Sequence, residues 1–269
     1  MAGDSRPNLR PITLFISPHL DDAVFSAGGL IASLPSGSAT VATCFTATMP
    51  EPTGFALACQ TDKGFGAEVD YMALRRAEDT AACAILGAEA IHLDLPEAPH
   101  RGYDSAEALF SEPHPGDRVV AELVDRFRKT IADVAPATIC YPVGVGDHVD
   151  HRQVTAAVAE IRHDHPGVRW VRWYDQPYTA RHRRAYPELA FARRVRGLAE
   201  VGDDVCAITF DPAERQPDGP LARKARAAAT YVSQCGYQFG EALGLPPAPV
   251  GDLEARIAQV LGRREWYVA

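Results

Sequence analysis

Short apolar runs alternate with longer amphipathic stretches up to about residue 180. The runs have the length of buried strands and lie at 12–17, 39–46, 90–95, 137–141 and 168–174. Strands separated by helical patterns indicate βαβ units, in which each helix returns the chain to begin the next strand in the same direction. The pattern therefore predicts an α/β fold, a Rossmann-like three-layer sandwich with a mainly parallel sheet.

The other expected elements follow the same spacing, but the pattern weakens after residue 180. We expect helices at 23–34, 71–86, 117–134 and 152–163, then a basic helix, a strand at 205–210 and helices at 221–235 and from 251. No linker or internal repeat divides the chain, so we expect one domain over residues 1–269. About 12–180 would form the Rossmann-like core, and about 181–269 a C-terminal portion that covers it.

Charge and composition exclude several classes of partner. The net charge of −8 argues against nucleic acid, whose binding needs clustered Lys and Arg. No apolar stretch approaches the roughly 20 residues of a membrane span, and the N-terminus lacks the apolar part of a secretion signal. The six cysteines form no C-x-x-C pair and are read as reduced thiols. We expect a cytoplasmic protein with no membrane partner; nothing in the sequence indicates an oligomeric state.

One basic segment, residues 181–196, departs from the acidic balance. It is either a solvated face or an anion-facing rim of a substrate cleft. Its arginines are Arg181, Arg183, Arg184, Arg193, Arg194 and Arg196.

Two polar clusters follow predicted strands, at the edge where parallel sheets bind ligands. The first is His19-Leu20-Asp21-Asp22 and the second is His148-Val149-Asp150-His151. Each combines a three-residue step, which lets two side chains face one point on an opening helix, with an intervening acid. A His/Asp/His set that leaves open positions is typical of a hydrolytic zinc site.

Other interpretations of the two clusters are weaker. Asp21 or Asp22 alone can cap a helix, and the second cluster alone can be a solvated loop. "GVGDHV" begins like a dinucleotide loop, but Val149 stands where the third glycine belongs. Neither H-E-x-x-H nor G-x-S-x-G occurs in the chain, so a zincin and a nucleophile elbow have no support.

The two clusters in this order resemble the LmbE-like, or PIG-L, zinc-dependent de-N-acetylases. That family carries H-P-D-D after a strand and a distal H-x-D-H or H-x-x-H; here Leu20 replaces the usual proline. The resemblance covers roughly residues 12–240. It includes "LRRAEDTAACAILGA", like the family's R-x-x-E helix, and "KARAAATYVSQ", like its closing K-x-x-A…S-Q helix.

The resemblance implies a role for each polar residue of the clusters. It implies Zn²⁺, with Fe²⁺ as the alternative, held by His19, Asp22 and His151. Asp21 would be the general base that takes a proton from the attacking water. His148 would stabilise the oxyanion or protonate the leaving amine, and Asp150 would orient His148.

One family feature is absent from the chain. Some members carry a tyrosine two residues before the first distal histidine, where it helps to stabilise the intermediate. This chain has Gly146 there. Tyr141 or Tyr178 would have to take that role, or His148 would carry more of it.

The resemblance also implies three substrate contacts. These are Arg75 of the R-x-x-E motif, Asp94 at the end of the "LDLP" strand and, more loosely, Glu97. For Arg75 an equally good interpretation is a helix-surface residue paired with Asp79 at i+4.

The implied function is hydrolysis of an acetamido group on an N-acetylglucosamine-type sugar of a small-molecule conjugate, which releases acetate and a free amine. The long segments 48–70 and 96–115 favour a cleft for a bulky aglycone, as in antibiotic or other natural-product intermediates. Two alternatives stay open. One is a family amidase acting on a thiol conjugate or a larger N-acyl group, and the other is a non-hydrolytic sugar- or nucleotide-binding α/β protein.

Overall fold

The computed structural model describes residues 11–179, 205–209, 218–240, 252–262 and 264–268. The strands are β1 (Thr13–Ser17), β2 (Ala39–Phe45), β3 (Glu89–Leu95), β4 (Thr138–Pro142), β5 (Arg169–Trp173), β6 (Val205–Thr209) and β7 (Arg264–Val268). The helices are α1 (Asp22–Ser33), α2 (Gly54–Thr61), α3 (Tyr71–Leu86), α4 (Ala106–Leu109), α5 (Val119–Val134), α6 (Val149–Ile161), α7 (Pro220–Ala229), α8 (Val232–Gln238) and α9 (Leu253–Leu261).

The strands form one sheet in the order β3-β2-β1-β4-β5-β7-β6. The first five are mutually parallel, and β7 runs antiparallel to both β5 and β6. The chain leaves β1 towards β2 on one side and returns to β4 on the other. This reversal places a topological switch point between β1 and β4, where open α/β sheets bind their ligands.

Side chains of β1 alternate between two cores, one on each face of the sheet. Phe15 packs into the core shared with α1, α3 and α7, whereas Leu14 and Ile16 pack into the core shared with α5 and α6. Because helices cover both faces of the sheet, the side chains on both faces of each strand are mostly apolar, and the strands therefore form continuous apolar runs in the sequence. The predicted Rossmann-like three-layer fold is confirmed.

Four local differences separate the structure from the sequence predictions. The segment 48–69 contains a helix, α2, although its Pro- and Gly-bearing sequence has no clear periodicity. Helix α6 begins at Val149, so the second polar cluster lies on its first turn. The helix expected over 221–235 is divided between α7 and α8. Strand β7 departs from the sequence prediction, which places no strand after residue 251, and with β6 it extends the sheet beyond β5.

Two further predictions concern the basic segment and helices that could span a membrane. The basic segment 181–196 lies outside the described residues. Across the described ranges, no helix is both long enough and apolar enough to span a membrane.

A buried ion pair joins the C-terminal portion to α1. Lys224 Nζ lies 2.5 Å from Glu265 Oε1, and the two oxygens of Glu265 accept hydrogen bonds from the amides of Gly29 and Leu30. A Cβ added at Gly28 would lie 2.9 Å from Lys224 Cγ, so the small residues of α1 allow the lysine to approach. The K-x-x-A helix motif therefore has a structural role here.

Glu265→Ala is expected to lower the free energy of unfolding by about 3–5 kcal/mol, because Lys224 would keep a buried charge without a partner. The measurement is urea denaturation at equilibrium. Lys224→Met combined with Glu265→Gln should cost less, since no charge is then left buried. Asp164→Ala, which breaks the exposed Arg128–Asp164 pair, is the control and should cause no measurable change. Wild-type stability for Glu265→Ala would contradict this account.

Candidate active site

The two polar clusters meet at the carboxyl ends of β1 and β4, which are adjacent strands. His19 follows β1, and His148, Asp150 and His151 lie at the start of α6, which follows β4. The parallel register places both strand ends on one edge of the sheet, so residues more than a hundred positions apart in sequence come into contact.

Helix α1 begins without using the carboxylates of the first cluster as caps. Ser17 Oγ accepts the amide hydrogen of Ala23 at 3.1 Å, and the side chain of Asp21, at the N-cap position, makes no capping hydrogen bond. Asp22 Oδ2 accepts the backbone N–H of His19 at 2.8 Å, which bends the loop back on itself. The helix-cap interpretation therefore fails for Asp21, whose carboxylate faces the pocket instead.

The imidazole of His19 is held through one nitrogen by Asp150. His19 Nε2 lies 2.9 Å from Asp150 Oδ2, and a carboxylate can only accept, so Nε2 carries the proton. Asp150 is fully buried and also accepts from the amide of Ala98 and from Arg101 Nη2, at 3.2 and 2.7 Å. The Nδ1 atom of His19 is left as the basic nitrogen.

The imidazole of His151 is held in the same way by Asp175, a residue outside both sequence clusters and outside the expected set of site residues. His151 Nδ1 lies 2.6 Å from Asp175 Oδ1. Asp175 is fully buried, and its second oxygen accepts the amide hydrogens of Gly144 and Val145 at 2.8 and 2.9 Å. A signal for this residue exists in the sequence, because "DQPY" follows β5 at the same sheet edge as both clusters.

Three ligand atoms converge where the two rings face Asp22. Asp22 Oδ2 lies 3.4 Å from His19 Nδ1 and 3.2 Å from His151 Nε2. His151 Nε2 is buried and makes no hydrogen bond within the described ranges, although Asp22 is so close. An unsatisfied buried nitrogen beside a carboxylate, with each histidine backed by a second carboxylate, is the arrangement of a metal site with its supporting shell.

A second set, His19, His148 and Asp150, also has ligand atoms within 4.8 Å of one another. It fits a cation less well. Its carboxylate is already bonded to Arg101 and to the proton of His19 Nε2, and His148 Nδ1 accepts the amide hydrogen of Asp150 at 3.2 Å. The set His19, Asp22 and His151 is the one that fits a divalent cation.

The charges of the site favour a cation at the same point. Burial and the charge of Asp22 raise the pKa of Asp21 to about 8. Burial alone would raise the pKa of Asp22 as well, but His151 and His19 outweigh it and hold this pKa below its usual range. Although burial opposes it, neighbouring carboxylates raise the pKa values of His19 and His151, so without a metal both rings carry a positive charge beside Asp22. A divalent cation at the same point would replace the protons on His19 Nδ1 and His151 Nε2 and stabilise both Asp21 and Asp22.

The hydrogen-bond partner of the His148 ring is not the expected one. The Asp150 carboxylate was expected to orient it, but that carboxylate bonds to His19 and Arg101, and it is the backbone N–H of Asp150 that holds His148 Nδ1. Burial, aided by the charge of His19, lowers the pKa of His148 to about 3. His148 is therefore neutral, with its proton on Nε2.

A cavity of about 260 Å³ opens onto these residues. Its walls come from both long segments noted in the sequence, 48–70 and 96–115, together with α3, α6 and α8. The lining residues are His19, Asp21, Asp22, Phe55, Cys59, Asp62, Lys63, Arg75, Glu97, Pro99, Ala106, Leu109, Phe110, His148, Asp150, Tyr178, Gln234, Tyr237 and Gln238.

Two of the three expected substrate contacts lie in this cavity. Arg75 is buried and bonds through Nη1 to Glu97 Oε1 at 2.5 Å, and both residues line the wall. The alternative partner Asp79 bonds instead to His92 and to Tyr231. Asp94, the third, stays a prediction: its backbone has φ +57° after a register shift in β3, and it is exposed and outside the cavity lining.

Tyr178 occupies the space beside Gly146. A Cβ at Gly146, where φ is +98°, would lie 2.6 Å from Tyr178 Cδ1. The ring of Tyr178 also meets the His151 ring edge-on, with centroids 5.5 Å apart, and lines the cavity. Of the two tyrosines considered for the missing family residue, Tyr178 lies at the site, whereas Tyr141 is buried in the core below the sheet edge.

The chain is similar to several known proteins. The profile of the family described as PIG-L: GlcNAc-PI de-N-acetylase matches residues 14–162. The 2'-N-acetylparomamine deacetylase of Streptomyces fradiae is 36% identical over 148 residues, which is 54% of this chain and 50% of that relative. The match therefore spans about half the length of the curated relative.

Two solved structures share the fold over nearly the whole chain. A deacetylase of teicoplanin biosynthesis superposes with a TM-score of 0.70 at 24% identity, covering 95% of this chain and 96% of its own. The deacetylase of A40926 pseudoaglycone superposes with a TM-score of 0.69 at 24% identity, covering 97% of each chain.

The supporting role of Asp175 predicts a graded loss of metal. His19→Ala, Asp22→Ala and His151→Ala each remove a ligand and should abolish tight binding of the metal. Asp175→Asn leaves all three ligands but removes the charge behind His151, so the affinity for zinc should fall by about 10–100-fold. The measurement is competition with a chromophoric chelator, after the protein has been stripped and reloaded.

Asp94→Asn is the matched control, since this acid lies at the same sheet edge but outside the cavity lining. It should bind zinc as the wild type does. Ligand variants that keep a full equivalent of tightly bound metal would refute the assignment of the three ligands. An Asp175→Asn protein with wild-type affinity would refute the supporting role.

Proposed function

This chain belongs to the PIG-L family, described as GlcNAc-PI de-N-acetylase, and we propose that it hydrolyses the acetamido group of an N-acetylglucosamine-type sugar. The substrate would be a small-molecule conjugate such as an antibiotic or other natural-product intermediate. Water adds to the acetyl carbon and the C–N bond breaks, which releases acetate and the free amine of the sugar.

One observation carries the proposal. The ligand atoms of His19, Asp22 and His151 converge, and the Asp21 carboxylate, which lines the same cavity, is not part of that set. Hydrolysis of an unactivated amide needs an electrophile on the carbonyl and a base for the water, and the cluster provides a place for each. The curated relative and both structural neighbours are deacetylases by name, and they support the same reaction.

The proposed metal is zinc, with ferrous iron as the alternative, held by His19, Asp22 and His151. The two imidazoles and one carboxylate suit either ion. When bound, the ion would lower the pKa of water and polarise the acetyl carbonyl. The name of one neighbour, a zinc-inhibited form of a teicoplanin deacetylase, supports binding of a divalent metal in this fold.

Asp21 would take a proton from the attacking water. Its carboxylate is buried beside the ligands and has no capping hydrogen bond, so its lone pairs are available. Burial and Asp22 raise its pKa in the metal-free site, so the carboxyl group holds a proton near neutral pH; a bound cation would release that proton and leave a carboxylate able to act as base. The same group, once protonated, is placed to return the proton to the nitrogen that leaves.

His148 would hydrogen-bond the oxygen of the tetrahedral carbon. Its Nδ1 atom is occupied by the amide of Asp150, and its pKa lies well below neutrality, so it has one proton, on Nε2. A neutral imidazole with a fixed tautomer is a better hydrogen-bond donor to an oxyanion than a proton source for an amine. Of the two roles, stabilisation of the oxyanion therefore suits His148 better than protonation of the leaving amine.

Arg75 and Glu97 would contact the hydroxyl groups of the sugar. They form a buried pair on the cavity wall, and the charge of Arg75 holds the pKa of Glu97 below its usual value although burial opposes this. Together they offer donors and acceptors at fixed positions, as sugar hydroxyls require. Lys63 and Gln234 lie on the same lining.

The direct test is release of amine and acetate from a panel of N-acylated amino sugars. Metal-loaded protein should release one amine for each acetate from N-acetylglucosamine glycosides, and protein treated with chelator should not. The panel includes N-propionyl and larger acyl groups and a thiol conjugate. Preference for a larger acyl group would favour the amidase alternative, and binding without any amine release would favour a sugar-binding protein.

Asp21→Asn should lower kcat by at least about 10²-fold while its metal content stays close to that of the wild type. The substitution is nearly isosteric and leaves the three ligands in place. Asp125→Asn, at an exposed acid of α5 outside the cavity lining, is the control and should keep kcat within a few-fold of the wild type. Undiminished turnover by metal-replete Asp21→Asn protein would exclude the role of Asp21 as base.

A further inference from the structure

Few large apolar side chains are exposed in the part of the chain that the structure describes. They are Met49, Phe110, Val232 and Tyr237, with exposed fractions of 36%, 45%, 63% and 46%. Phe110 and Tyr237 line the cavity of the candidate site. Two half-exposed aromatic rings that line one cavity need an explanation, since exposed apolar surface at a cleft commonly marks a binding site.

Hydrogen bonds flank Phe110 on both sides along the chain. Ser105 Oγ caps α4 by accepting the amide hydrogen of Ala108, and Arg152 of α6 donates to the carbonyl of Ser111 and pairs with Glu112. Phe110 itself meets the ring of His148 edge-on, at a centroid distance of 5.4 Å and an interplanar angle of 90°. Its ring therefore has a defined position beside a residue of the site.

The cavity lining combines apolar and polar residues. The apolar members include Phe55, Pro99, Ala106, Leu109 and Phe110, and the ring of Tyr178 lies 6.4 Å from that of Phe110. The polar members of the lining include Asp62, Lys63, Arg75, Glu97 and Gln234. Polar groups of this kind suit the hydroxyl groups of an amino sugar, whereas a half-exposed phenylalanine suits an apolar surface, either a C–H face of the sugar or a group attached to it.

The size of the cavity indicates which part of a substrate lies against Phe110. At about 260 Å³ it falls below the range of roughly 300–1,000 Å³ that drug-sized ligands occupy. A sugar conjugate with a large second group must therefore extend beyond the cavity. It would then lie against the half-exposed rings of the lining.

We infer that the group attached to the amino sugar is apolar and ring-bearing, and that it packs against Phe110, with Leu109 and Tyr237 completing the contact. This inference rests on the proposed function, because it describes the remainder of the same substrate. It makes Phe110 a determinant of specificity for the aglycone.

The test compares two substrates that differ only in the aglycone, methyl and phenyl glycosides of N-acetylglucosamine, each as both anomers. The phenyl compound should have a kcat/KM about tenfold higher in the wild type, the scale on which an apolar pocket discriminates one added apolar group. Phe110→Ala should bring the ratio close to one, and Phe110→Leu should restore part of it. Since His148 serves both substrates, a disturbance of its ring lowers both rates and leaves the ratio unchanged.

Val232→Ala is the matched control, because Val232 is exposed and lies on the same helix as Tyr237 but not on the cavity lining. It should leave the ratio at the wild-type value. Affinities of both glycosides are also measured by calorimetry, so the apolar contact is tested even in a protein without turnover. If neither compound is hydrolysed but the phenyl glycoside binds more tightly, the proposed function is overturned and this inference is kept. Equal kcat/KM values, or equal affinities when there is no turnover, would overturn the inference alone.

Discussion

Two hydrogen bonds between carboxylates and imidazoles determine what the centre can do. Asp150 holds the proton of His19 on Nε2, and Asp175 holds the proton of His151 on Nδ1. The opposite nitrogen of each ring is then basic and faces Asp22. A histidine with the other tautomer would present an N–H to this point and repel a cation, so the ligand set depends on these two bonds.

The same bonds connect the centre to the fold. Asp175 follows β5 and is held by two loop amides after β4, and Asp150 lies on the first turn of α6 and is held by Arg101. Arg101 also pairs with Asp117, at the start of α5. A buried cluster of like charges is unstable unless cations and donors surround it, and here they come from several different elements. The switch point of the sheet brings those elements together.

Part of this site is predictable from the sequence because its signals are local. The steps His19–Asp22 and His148–His151 lie within single turns, and the strand pattern places both at one sheet edge. Asp175 and Arg101 carry no comparable signal, since each is a single charged residue whose partner lies far along the chain. Spacing alone also cannot decide which ring a neighbouring acid will bind; the contact of Asp150 with His19 across two strands decided it. The outward direction of Asp94 depends on a backbone angle that no residue pattern revealed.

The most direct measurement is a crystal structure of the zinc-loaded protein, with the metal located by anomalous scattering at the zinc edge. The account predicts a peak bonded to His19 Nδ1, Asp22 Oδ2 and His151 Nε2, with Asp21 beside it but not bonded. A peak between His148 and Asp150, or one that requires His19 to bind through Nε2, would contradict the account, because the tautomers described above would then be wrong.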